Sequence, residues 1–121
     1  MKKNDLLERT FKFGVDCIKF LRNLPNYPEY KVIRFQICKS ATSLGANYEE
    51  SQAGSSMKDF RNKIRISLRE TRETNYWLRI IKSLNDFESS ELDKLLQESF
   101  ELKNIFGSIL NNTKDKDNNI N

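Results

Sequence analysis

A chain of 121 residues is enough to bury one modest core and too short for two. Hydrophobic residues at 37%, charged residues at 31%, and only four Gly and two Pro describe a helix-rich chain rather than a sheet protein with frequent turns. The net charge of +4 is only mildly basic, and the lack of any histidine removes the commonest zinc ligand and the commonest general base, which weighs against an enzyme.

The opening stretch MKKNDLLERTFKFG carries charges where a signal peptide needs its apolar segment, and no later apolar run is long enough to span a bilayer. A cytoplasmic protein with no membrane contact is the expectation. A first helix is predicted over 5–24, capped by Asn4 or Asp5 and stopped at LPNYP, with Leu7, Phe11, Val15, Ile18 and Leu21 as its apolar face. Cys17 and Cys38 are expected as small core or boundary residues rather than as a disulfide.

Pro28 suits the first turn of a second helix over 28–53, whose apolar face is Ile33, Ile37, Ala41, Leu44 and Tyr48. Beside that face runs a polar stripe, Gln36, Ser40, Ser43, Asn47 and Glu50, at spacings of four, three, four and three. Small hydroxyls and an amide in one arc let helices approach closely and hydrogen-bond across a bundle, for example to Glu70, Glu73 or Thr74. A structural role is therefore preferred to catalysis. A di-iron bundle needs Glu-x-x-His pairs, which this chain lacks, and carboxylates alone do not establish a magnesium site. No catalytic residue, metal ligand or cofactor is assigned.

At AGSS, Gly54 can take a left-handed conformation and Ser55 or Ser56 can cap a third helix over 57–84. Three sectors divide it. Phe60, Ile64, Leu68, Thr71, Asn75, Leu78 and Ile81 form a core stripe. Ile66, Glu70, Glu73, Trp77, Ile80 and Leu84 lie about a third of a turn away, and an aromatic anchor with aliphatics and a few polar groups suits self-association. The alternative is that Trp77 widens the intramolecular core. The third sector holds Lys58, Arg61, Arg65, Arg69, Arg72 and Arg79 with Tyr76 in the same arc. Planar guanidinium forks suit phosphate, and a tyrosine among them can stack on a base, so nucleic acid is a sensible partner.

A fourth helix is predicted over 90–110, started by Ser89 or Ser90, with Leu92, Leu95, Leu96, Ser99, Leu102, Phe106 and Ile109 as its core stripe. Residues 111–121 are polar and aperiodic and are expected to be a disordered tail. The whole is expected to be all-α, an antiparallel up-down-up-down four-helix bundle over 1–110. Charge qualifies the arginine sector. From Lys58 to Lys82 there are eight basic and three acidic residues, whereas Ser83 to Leu110 has two basic and six acidic. Asp93, Glu98 or Glu101 can therefore neutralise some of the arginines, within one bundle or between subunits, as surface pairs of little energetic consequence.

SATSLGANYEE, then DF, then RETRETNYWL, all within residues 40–81, resembles the four-helix-bundle family that includes proteins encoded in intervening sequences of bacterial 23S ribosomal RNA genes. The likeness extends over roughly residues 5 to 110, and its signature falls on Ser40, Ser43, Asn47, Glu50, Phe60, Glu70, Glu73, Thr74, Tyr76, Trp77 and Leu78. It implies a bundle that assembles as a homopentamer in a bacterial cytoplasm, with no enzyme activity to carry over. A related branch, the accessory proteins of diversity-generating retroelements, is similar and implies a basic surface for nucleic acid and a reverse transcriptase. Two main functions stand side by side: an oligomeric module binding RNA or DNA backbone through the arginines, and a protein scaffold with no specific nucleic-acid role. A carboxylate-based metal-dependent enzyme is the third and least supported.

Overall fold

The computed structural model describes residues 5–118, with side chains over 5–114, as four helices: α1 (Asp5–Leu21), α2 (Pro28–Ser51), α3 (Met57–Leu84) and α4 (Ser90–Asn118). Asn4, one of the two expected caps of the first helix, lies outside the described residues. The turns carry the chemistry that their sequences require. Pro28 opens α2. Gly54 sits at φ 81°, and the Ser56 hydroxyl accepts the Asp59 N–H at 3.1 Å to start α3. Ser89 does the same for the Leu92 N–H, also at 3.1 Å.

α1 ends at Leu21 rather than 24, because the Arg34 guanidinium collects the carbonyls of Leu21, Leu24 and Pro25 and turns the chain toward α2. α2 likewise ends at Ser51, two residues short of its expected limit. α4 runs past 110 to Asn118, into the segment expected to be a disordered tail; 119–121 lie outside the described residues. Its continuation gives Arg61 a partner, described below.

Cross-helix pairs fix the packing. Along α2 and α3, Ser40 meets Thr74 and Leu44 meets Ser67; along α3 and α4, Arg61 reaches Leu110, Asn75 meets Ser99 and Lys82 meets Asp93. In each series one index rises as the other falls, so consecutive helices run antiparallel. Gly14 and Gly45 let α1 and α2 approach closely. A Cβ on Gly14 would lie 3.3 Å from the Ala41 carbonyl oxygen, and one on Gly45 would lie 3.3 Å from that of Thr10. α1 meets α4 along a thinner seam, held by Arg9, which is bidentate to Glu98 at 2.7 and 2.8 Å and reaches Glu101 at 2.7 Å.

The core gathers Ile33, Ile37, Ala41, Leu44 and Tyr48 from α2, Ile64, Leu78 and Ile81 from α3, and Leu92, Leu95, Leu102 and Phe106 from α4, as the spacings anticipate. α1 differs. It inserts Phe13, Cys17, Phe20 and Leu21, while Phe11 is 66% exposed and Val15 and Ile18 are only partly covered. The helix carries two apolar stripes with Gly14 between them, and the one that includes Phe13, Cys17 and Phe20 turns inward. Phe11, Val15 and Ile18 line an open groove of about 630 Å³ against Ala46 and Ala53. Cys17 is buried and Cys38 exposed, both as free thiols.

Candidate nucleic-acid interface

α3 displays Lys58, Arg65, Arg69, Arg72, Tyr76 and Arg79 on an exposed face. Among the described residues Arg65 bonds only within its own helix, to Asn62 at 2.8 Å. Arg69 lies 3.9 Å from the Glu70 carboxylate, a loose contact. Arg72 has no ion pair among the described residues. The three acidic side chains of α4 expected to neutralise the arginines are engaged elsewhere: Glu98 and Glu101 hold Arg9, and Asp93 holds Lys82. Neutralisation of the α3 arginines by Asp93, Glu98 or Glu101 within one bundle, one form of the counter-expectation from the charge count, is not the arrangement seen among the described residues.

Arg61 leaves the set. Only 7% exposed, it donates through Nη1 to the Leu110 carbonyl at 2.6 Å and to the Thr113 hydroxyl at 2.7 Å. Its guanidinium ties α3 to the distal part of α4 and is committed inward, where phosphate has no access.

Tyr76 is 48% exposed and packs edge-on against Trp77, with ring centroids 5.3 Å apart. The Arg79 guanidinium lies 5.7 Å from the Tyr76 ring centre. Arg79 Nε donates to Asn75 Oδ1 at 2.9 Å, Asn75 Nδ2 donates to the buried Ser99 hydroxyl at 2.9 Å, and Ser99 donates to the Leu96 carbonyl. A surface cation is thus tied by two steps to the core. The sequence places Asn75 and Ser99 in core stripes; their role in orienting Arg79 is visible only once α3 and α4 are set side by side.

The sector expected to drive self-association is shared between the bundle interior and its surface. Trp77 and Ile80 pack on the core, Glu70 is buried, Ile66 and Glu73 are half-buried, and Leu84 is the exposed member. The polar stripe of α2 is split. Ser40 bonds Thr74 at 2.7 Å across the helix seam, Asn47 donates to Ser43 within α2, Gln36 is half-buried and Glu50 is exposed. Ser67, which the sequence did not single out, adds a second cross-seam bond to the Leu44 carbonyl at 2.8 Å.

Burial raises the Glu70 pKa above the ordinary carboxylate value, and the charge and hydrogen bond of Glu73 add to that, against weaker opposition from Arg69 and Lys39. A raised carboxyl favours the neutral form in the fold. Its stabilising effect is complete below the unfolded value of about 4.3 and is lost as the pH climbs through the folded value. Glu70→Gln is therefore expected to match the wild type in thermal unfolding at about pH 4 and to exceed it at neutral pH; equal melting at both would remove this account of Glu70.

Among the described residues no cluster of three His, Cys, Asp or Glu side chains is placed to hold a metal, and no helix is long and apolar enough to cross a membrane.

Comparison with known proteins agrees with the fold. A family model described as 23S rRNA-intervening sequence protein matches residues 2–108. The crystal structure of a protein of unknown function from the S23 ribosomal protein family of Bacteroides thetaiotaomicron is 30% identical over 86% of this chain and 96% of that one, with a TM-score of 0.77. No curated protein matches.

Proposed function

The chain belongs to the 23S rRNA-intervening sequence protein family, and from that premise we propose that it is a non-catalytic homo-oligomer that binds the backbone of RNA or DNA through the outer face of α3. The observation that carries this reading is the exposure of Arg65, Arg69, Arg72 and Arg79 while Glu98 and Glu101 of α4 are engaged by Arg9 and Asp93 by Lys82. Arginine forks without carboxylate partners at bonding distance match phosphate oxygens, and their contacts are largely indifferent to base sequence. Self-association, with a pentamer as the number the family resemblance implies, multiplies the face without enlarging the chain. The apolar surface for it is on the α1 and α2 side, where Phe11, Val32 and Phe35 are each more than half exposed.

Binding of labelled RNA and DNA measured across a salt series, with light scattering on the same sample, tests the proposal. The logarithm of affinity is expected to fall linearly with the logarithm of salt, with a slope of roughly −0.7 to −0.9 per phosphate neutralised, in a particle several times the mass of one chain. A monomer, or no binding at low salt, would overturn the corresponding half of the reading. The exposed Phe11, Val32 and Phe35 would in the latter case favour the scaffold function, with another protein as partner.

A further inference from the structure

Resting on the nucleic-acid reading above, we infer that the α3 face is built for unpaired strands, with Tyr76 and Arg79 forming a stacking couple for an exposed base between backbone contacts. Phosphate binding alone needs only mobile cations on long stems, yet Arg79 is not left mobile. Its Nε is fixed by Asn75, whose amide is fixed in turn by the buried hydroxyl of Ser99. The Tyr76 ring is likewise held, with Trp77 at its side and the Arg79 guanidinium 5.7 Å from its centre. Two flat groups, one aromatic and one cationic, are thus pre-set on the surface before any ligand arrives, which lowers the ordering cost of binding.

Position along the helix adds to this. Tyr76 lies between Arg72 and Arg79 on the arginine line, and the line from Arg65 to Arg79 spans about 21 Å at the ordinary helical rise. A strand following it meets cations on both sides of the ring. A duplex laid along a straight, convex helix offers phosphate and sugar to the arginines but keeps its bases stacked and paired away from Tyr76. A single strand presents bases that can lie on a flat group, and every base has a π face, so the couple selects unpaired strands without selecting a sequence.

The test compares short labelled single strands of RNA and of DNA with the matching duplexes, on the full chain at fixed salt, for wild type, Tyr76→Phe and Tyr76→Leu. Circular dichroism shows that each variant is folded. Wild type and Tyr76→Phe are expected to prefer single strands. Tyr76→Leu is expected to lose roughly 10-fold in single-strand affinity while its duplex affinity is unchanged. Trp77, the chain's single tryptophan and the ring beside Tyr76, gives an independent readout: its emission is expected to change on adding single strands and to stay constant with duplex. Equal affinity for both forms, with Tyr76→Leu behaving as wild type, overturns the inference and leaves backbone binding standing. No binding of any strand by the wild type overturns both. RNA and DNA arms that differ tell which sugar the face accepts.

Discussion

Replacing Arg65 and Arg72 together by glutamate is expected to lower nucleic-acid affinity by about 100-fold or more. Each charge-assisted hydrogen bond contributes about 1.5–3 kcal/mol, and reversal adds repulsion of the phosphate to the loss of attraction. The fold is expected to survive: both side chains are exposed, and Arg65 gives up only a bond to its neighbour Asn62. The double change takes the formal charge from +4 to zero, each reversal removing two charges. Lys12→Glu with Lys19→Glu on α1 makes the same change in total charge on a helix that has no packing seam with α3. Titration of both variants separates a located interface from a general effect of net charge. If the α1 pair costs as much affinity as the α3 pair, the arginine face is not the site.

The second large effect is on stability. Phe106→Ala is expected to cost about 3–5 kcal/mol, a large share of the 5–15 kcal/mol that holds a domain of this size together. Phe106 is fully buried on α4 and its ring meets that of Tyr48 on α2 at 5.9 Å, so truncation opens a void between two helices that are not sequence neighbours. At roughly 4–8 °C per kcal/mol for small domains, the melting temperature falls by more than about 10 °C. A thermal scan that shifts by only a degree or two would mean that neighbouring side chains collapse into the space.

α2, α3 and α4 were legible in outline because their signals are local and agree. Pro28, Gly54, Ser56 and Ser89 are local turn and cap signals, and the apolar spacings between them mark the main inward face of each helix. α1 was not legible in the same way. Leu7, Phe11, Val15, Ile18 and Leu21 make as regular a stripe as Phe13, Cys17 and Phe20, and periodicity cannot choose between them; of the first set the core takes Leu21 and, in part, Leu7. Gly14 lies between the two, where its missing side chain lets the backbone of α2 come close, an approach that periodicity does not encode. Arg61 and Arg65 are alike in sequence for a similar reason. One turn apart on the same sector, they part company because α4 reaches far enough to accept a bond from the first and not from the second. Trp77 shows the converse, a large side chain on a flank of the helix that the bundle is wide enough to absorb in part.

The thin seam between α1 and α4 bears on the order in which the molecule assembles. The three broad seams join helices that follow one another along the chain, so closing them requires only short loops and costs little chain entropy. On that side the Arg9 clamp must bring together residues 89 to 92 positions apart. Helical hairpins are the cheap early gains in such a topology, of the kind that makes low-contact-order bundles fold quickly. Meeting of the first helix with the last carries the largest closure cost and is expected to be the closing step, a latch set after the rest of the bundle has taken shape.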